Sequence, residues 1–181
     1  GLGAPLTMLA LPMSPADCLA HVIKPAFARL PGYMDSERAR VLVLAIMMQE
    51  SGLRSRWQVL EGGAKGPARG LAQFERGSKA GHSGVWGVYL HHATHEHLRL
   101  LCRDVDCNFD PAAIWAMLEH DDVLAAGVAR LLLYTDPYPI PVVGAEAASW
   151  AYYLRTWRPG KPYPERWPAS YDTACATVAD A

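Results

Sequence analysis

Between Val41 and Met48 the chain runs through eight consecutive apolar residues, Val-Leu-Val-Leu-Ala-Ile-Met-Met. A helix that is apolar on every side has no face to offer water, so the rest of the chain must enclose it. Asp35 or Ser36 supplies a side chain able to cap its first free amides, and Gly52 supplies the residue type at which helices stop. The sequence thus predicts a buried central helix. A length of 181 residues suits one domain with a substantial core around it.

Elsewhere apolar residues recur mostly at helical spacing and are divided by short Pro and Gly clusters, which predicts a mainly α domain. Ser14, Pro15 and Asp17 read as a helix start, with a bend or break expected near Pro25. From Gly52 to Gly70 the chain is rich in Gly and Arg, as suits an irregular lobe or a small hairpin. Further helices are expected over Val85 to Arg103, Pro111 to Glu119, Asp122 to Tyr134 and Ala145 to Trp157. Pro137, Pro139 and Pro141 forbid a regular helix before the last of these. Pro159, Pro162 and Pro164 force a surface loop after it, of the kind that frames clefts. The aromatic residues from Trp150 to Trp167 read as core packing or as a sugar-stacking wall. We expect an N-terminal extension over 1–13 and a single domain over 14–181.

A formal charge of -1 gives no global pull toward nucleic acid or anionic lipid, so partners have to be inferred from a site. The apolar run from Gly1 to Met13 lacks a basic flank, contains Pro5 and Pro12 and is too short to span a bilayer; neither a signal peptide nor a membrane anchor is expected there. Cys18, Cys102, Cys107 and Cys175 read as free thiols, with a Cys102–Cys107 bridge left open by their spacing. Asp104, Asp106, Asn108 and Asp110 alternate like the start of a calcium loop. However, Phe109 stands where the turn needs Gly and Trp115 where the loop needs Glu, so a polar turn into a helix at Asp110-Pro111 is the better reading. His91 and His95 have the spacing of a zinc pair on one helical face, but no HExxH pattern accompanies them, and a solvated face is preferred. No metal and no cofactor are expected.

Glu50 follows the apolar run. Val43, Ile46 and Met47 lie seven, four and three residues before it, so the face from which Glu50 projects is apolar. Burial and the negative end of the helix dipole both disfavour the carboxylate, and both raise its pKa. Such a group suits proton donation to a glycosidic oxygen. The competing reading is an ion pair with Arg54, Arg56 or Arg69.

Gln49-Glu50-Ser51-Gly52-Leu53 at the end of an apolar helix, followed by Gly66-Pro67-Ala68-Arg69-Gly70-Leu71-Ala72-Gln73-Phe74-Glu75, resembles the lysozyme-like lytic transglycosylases, phage-encoded members above all. The stretch Val123 to Leu132 is similar to the family's helix after the cleft, and Ala151-Tyr152 to its Ala-Tyr-Asn segment, although Tyr153 replaces Asn and Ala72 a larger apolar residue. The resemblance implies a lysozyme-like fold with the Gly-rich loop or hairpin beside a cleft. It implies Glu50 as the catalytic acid, with Ser51 beside it to orient it, Gln73 binding substrate, and Tyr152 touching the carboxylate or the sugar. It also implies bacterial peptidoglycan glycan strands as the partner, and a place of action in the periplasm or cell wall, as a virion component or a lysis enzyme.

By that resemblance Glu50 protonates the oxygen between N-acetylmuramic acid and N-acetylglucosamine, then as a base helps the muramoyl 6-hydroxyl close onto C1. Hydrolysis by a muramidase would instead need a second carboxylate about 5 to 9.5 Å away. Glu61 and Glu75 are the candidates, and neither has a diagnostic spacing. A wall-binding protein that keeps the fold without the chemistry is the remaining alternative.

Overall fold

The computed structural model describes residues 8–181, which are mainly helical with one small two-stranded sheet. Of the expected extension over 1–13, residues 1–7 lie outside the described residues. The remainder lies on the domain: the Met13 amide donates to Leu53 O at 2.9 Å, and Arg56 Nη2 donates to Leu9 O at 2.7 Å.

Ser14 caps α1 (Pro15–Cys18) by accepting from the Asp17 amide at 3.0 Å. Where a bend or break was expected near Pro25, this helix widens into a π-helical turn (Leu19–Ile23) and continues as α2 (Lys24–Phe27). Proline lacks the N–H that a regular turn requires, and its ring crowds the carbonyl one turn back. The wider turn just before it, closed from Lys24 N–H to Leu19 O, relieves both problems.

The central helix α3 spans Glu37–Ser51. Ser36 is its cap, accepting from the Ala39 amide at 3.2 Å, while Asp35 is taken by Arg40 at 2.8 and 2.9 Å. Gly52 ends it at φ +61°, a left-handed conformation that costs glycine least, with its N–H on Met48 O. Val41 to Met47 are all buried, as an all-round apolar run requires. The hairpin follows, β1 (Trp57–Val59) antiparallel to β2 (Lys65–Arg69) with Trp57 opposite Arg69 and Val59 opposite Lys65.

The helix expected over Val85 to Arg103 is two helices, α4 (Gly84–Leu90) and α5 (His95–Asp104). Side chains between them satisfy backbone groups that a continuous helix would have used. The buried Thr94 hydroxyl donates to Val88 O at 2.7 Å, and His91 Nδ1 accepts from the Ala93 amide at 3.1 Å. His91 therefore lies in the extended link after α4, while His95 opens α5. Asp110 caps α6 (Pro111–Met117), the polar turn into a helix start that the sequence predicts. Next come α7 (Asp122–Tyr134) and α8 (Glu146–Trp157).

A C-terminal helix, α9 (Trp167–Ala179), lies along α3 and was not among the expected elements. Its signal was present: Trp167, Tyr171, Ala174 and Val178, all buried, repeat at helical spacing. Together with α1 and α7 it closes the core around α3. The hairpin is tied to α7 by a nearly covered ion pair, Arg56 Nε and Nη2 on Asp122 at 2.9 and 2.8 Å. All four cysteines are free thiols. Among the described residues no helix is long and apolar enough to cross a membrane.

Candidate active site

Glu50 stands in the last turn of α3, where backbone carbonyls lack helical partners, and its side chain is only partly covered. Burial pushes its pKa up from 4.5 to about 7, against a hydrogen bond from Tyr153 that favours the charged form. The Tyr153 hydroxyl donates to Glu50 Oε1 across a short contact. Oε2 has no hydrogen-bond partner among the described residues. As no fully enclosed side-chain polar atom there lacks one, Oε2 opens to solvent. One carboxyl oxygen is thus held and the other is free to meet a ligand.

The ion-pair reading of Glu50 does not hold. Arg56 is on Asp122, and Arg69 lies 3.9 Å from Glu119 and over the Trp115 ring at 4.6 Å. Arg54 is exposed and makes no ion pair among the described residues.

Tyr153 is itself immobilised. It stacks on Trp167 at 5.4 Å with ring planes 8° apart, and Trp150 lies 5.4 Å from it. Its phenol is pushed far above the ordinary tyrosine range, by burial first and then by the neighbouring Glu50 charge and hydrogen bond. It therefore keeps its proton, and with it the role of donor, around neutral pH. The aromatic run from Trp150 to Trp167 is in this part a packed support for the acid.

Tyr152, expected to touch the carboxylate or the sugar, is not on the carboxylate. Its buried hydroxyl lies 2.8 Å from Leu133 O and 3.0 Å from Tyr138 O, on another side of α8. Consecutive helical residues project about 100° apart, so only one of two adjacent tyrosines can reach Glu50. Ser51 is also committed elsewhere: its hydroxyl donates to Met47 O at 3.0 Å and accepts from the Leu53 amide at 3.2 Å, closing the helix end.

Gln73 lies in the turn after β2. Arg69 and Phe74 exchange both backbone hydrogen bonds at 2.8 Å, and Gln73, at φ +56°, donates Nε2 to Gly70 O at 2.9 Å. One end of its amide is thus used inside the turn, and Oε1 has no partner among the described residues. Gly70 is required here: at φ +76° an added Cβ would lie 3.1 Å from Leu118 O and 3.2 Å from Leu118 Cβ. The turn docks on α8, where Trp157 Nε1 donates to Ala72 O at 3.0 Å and its ring lies 5.4 Å from Phe74. Trp157 is one turn beyond Tyr153, with rings 6.2 Å apart, so α8 joins the acid to the Gln73 turn.

No family model, curated protein or solved structure matches this chain.

Gln49 is the residue that sequence reasoning missed. Its buried Nε2 donates to Pro162 O and Tyr163 O, each at 2.9 Å, and its Oε1 accepts from Ser170 Oγ at 3.2 Å. It therefore ties the Pro-rich loop and α9 to the turn that carries Glu50. An amide closing an apolar run was the available signal, since a buried amide needs partners.

Glu61, in the turn Glu61–Gly63 between the strands, and Glu75 are both exposed. Neither contributes to the shift at Glu50, which is set by burial and Tyr153 alone. Among the described residues there is no group of three or more His, Cys, Asp or Glu able to hold a metal ion. What the site can do is move one proton at Glu50 Oε2.

Proposed function

We propose that this chain is a lytic transglycosylase with a lysozyme-like fold that cleaves the β-1,4 bond between N-acetylmuramic acid and N-acetylglucosamine in bacterial peptidoglycan. The observation that carries the reading is the carboxyl of Glu50: poised near pH 7, held at Oε1 by Tyr153 and open at Oε2. A general acid works best with a pKa close to the working pH, because it must hold its proton before the step and release it during the step.

Glu50 gives its proton to the glycosidic oxygen as the bond from C1 to that oxygen breaks. The resulting carboxylate accepts the proton of the muramoyl 6-hydroxyl as O6 bonds to C1. The products are a free 4-hydroxyl on one fragment and a 1,6-anhydro ring on the other, and Glu50 ends protonated as it began. Tyr153 stabilises the carboxylate between the two transfers. Gln73, with Oε1 uncommitted, is the candidate to bind the sugar. Such an enzyme acts at the bacterial wall, released at lysis or carried by a phage particle.

The test is mass analysis of soluble fragments from purified sacculi treated with the wild type and with Glu50→Gln. Anhydromuropeptides from the wild type and none from the variant are expected. Hydrated fragments would mean a muramidase, and binding without fragments a wall-binding module.

A further inference from the structure

A concave site lies away from Glu50, lined by α7, the Pro-rich segment before α8 and the start of α3, with a volume of about 410 Å³. That size falls within the range that holds small ligands, about 300 to 1,000 Å³. Arg130 of α7 lines it and is only 6% exposed. Its Nε donates to Met34 O at 2.7 Å, yet no carboxylate pairs with it, and Nη1 and Nη2 make no hydrogen bond among the described residues. Since no fully enclosed side-chain polar atom there lacks a partner, these two nitrogens keep accessible surface, and Arg130 is part of the cavity wall. A guanidinium this covered ordinarily has a counter-charge.

The neighbouring charges do not pair with it: Asp35 acts on Arg130 only through space, both its oxygens being on Arg40 at 2.8 and 2.9 Å. Asp136 is occupied by Arg155, Nε to Oδ2 at 2.6 Å and Nη2 to Oδ1 at 3.1 Å, and by the Tyr138 amide at 3.0 Å. Arg38, at the rim, adds a second positive charge and spends one donor on Ile140 O at 3.0 Å. The remaining wall mixes tyrosines with proline and aliphatic side chains: Tyr134 lies beside the guanidinium, 5.9 Å from ring centre to Cζ, and the exposed Tyr138 stands at the mouth. Tyr152 closes the inner side, its hydroxyl held between Leu133 O and Tyr138 O.

We propose that this cavity binds a small organic carboxylate, its two oxygens on the free fork of Arg130 and its apolar body between the tyrosines. The planar fork matches a carboxylate in geometry. A phosphate dianion would carry more charge and more acceptor sites than one buried fork and a rim arginine satisfy. The proposal does not depend on the chemistry at Glu50.

Benzoate, its neutral isostere benzamide and inorganic phosphate, titrated into the full chain at constant ionic strength, provide the test, followed by calorimetry and by amide NMR. Saturable benzoate binding that shifts Tyr134 and Tyr138 amides is expected, at least tenfold tighter than benzamide and tighter than phosphate. Arg130→Lys, which keeps the charge but not the fork, should weaken it at least tenfold, and Tyr138→Ala severalfold. If Arg130→Lys does not fold, the benzamide comparison and Tyr138→Ala decide. No saturable binding, equal binding of benzamide, tighter phosphate, or undiminished affinity in a folded Arg130→Lys would each overturn the assignment.

Discussion

Tyr153 donates its hydroxyl to Glu50 while lying flat against Trp167, so the donor that opposes the burial of the acid is fixed by an aromatic stack. This coupling makes the proton affinity of Glu50 a property of how α8 and α9 pack on α3.

Tyr153→Phe keeps the stack and removes the donor. The lost hydrogen bond favoured the carboxylate, so the pKa of Glu50 must rise above its present value of about 7. A hydrogen bond to a charged group is worth roughly 1.5 to 3 kcal/mol, which corresponds to a shift of about one to two pH units. For the proposed reaction, the pH–rate profile on sacculi should move alkaline by that amount, with a roughly tenfold lower maximum because its basic step would lose the stabilised carboxylate. An unmoved profile would show that the contact does not tune the acid.

Glu50 costs the fold stability at neutral pH. Its carboxyl ionises near 4.5 when unfolded and near 7 when folded. Between these values the folded chain holds more protons than the unfolded one, so stability falls as pH rises through that window and levels off above it. Glu50→Gln should remove this slope and be more stable than wild type at pH 8, by up to about 3 kcal/mol. Urea midpoints of both proteins at pH 5 and pH 8 give the difference directly.

Gly70→Ala should disturb the Gln73 turn. The residue needs φ +76° and has Leu118 against the position a Cβ would take. Left-handed strain alone costs roughly 1 to 2 kcal/mol. We expect a comparable or larger loss in thermal unfolding, together with reduced sacculus digestion even where the variant is fully folded.

Gln49→Leu should release the Pro-rich loop. It cuts two donors from Pro162 O and Tyr163 O and the acceptor for Ser170. Leaving such groups without partners costs about 1 to 3 kcal/mol. Hydrogen exchange should quicken at residues 158–166 and the neighbouring start of α9, while α5, which Gln49 does not touch, keeps its protection.

Much of the framework was legible in the chain because it depends on near neighbours. The apolar run ending at Gly52 specified a central helix, Ser36 and Asp110 acted as caps, and the Gly-rich stretch formed a hairpin. Glu50 itself was legible, since a carboxyl on the apolar face of a helix end is desolvated wherever that helix is buried. The expected raised pKa needed no knowledge of its neighbours.

What the tertiary structure alone decided was which groups meet Glu50. Adjacent tyrosines on α8 are indistinguishable in composition, and only the rotation of that helix puts Tyr153 on the acid and Tyr152 on Leu133 and Tyr138. The rotation depends on α9, more than a dozen residues further on, whose Trp167 stacks on Tyr153. Gln49 likewise acquires its role from carbonyls more than 110 residues away. Caps and helical runs are set by contacts within one or two turns, whereas the partners of a buried side chain are set by which distant segments the core brings beside it.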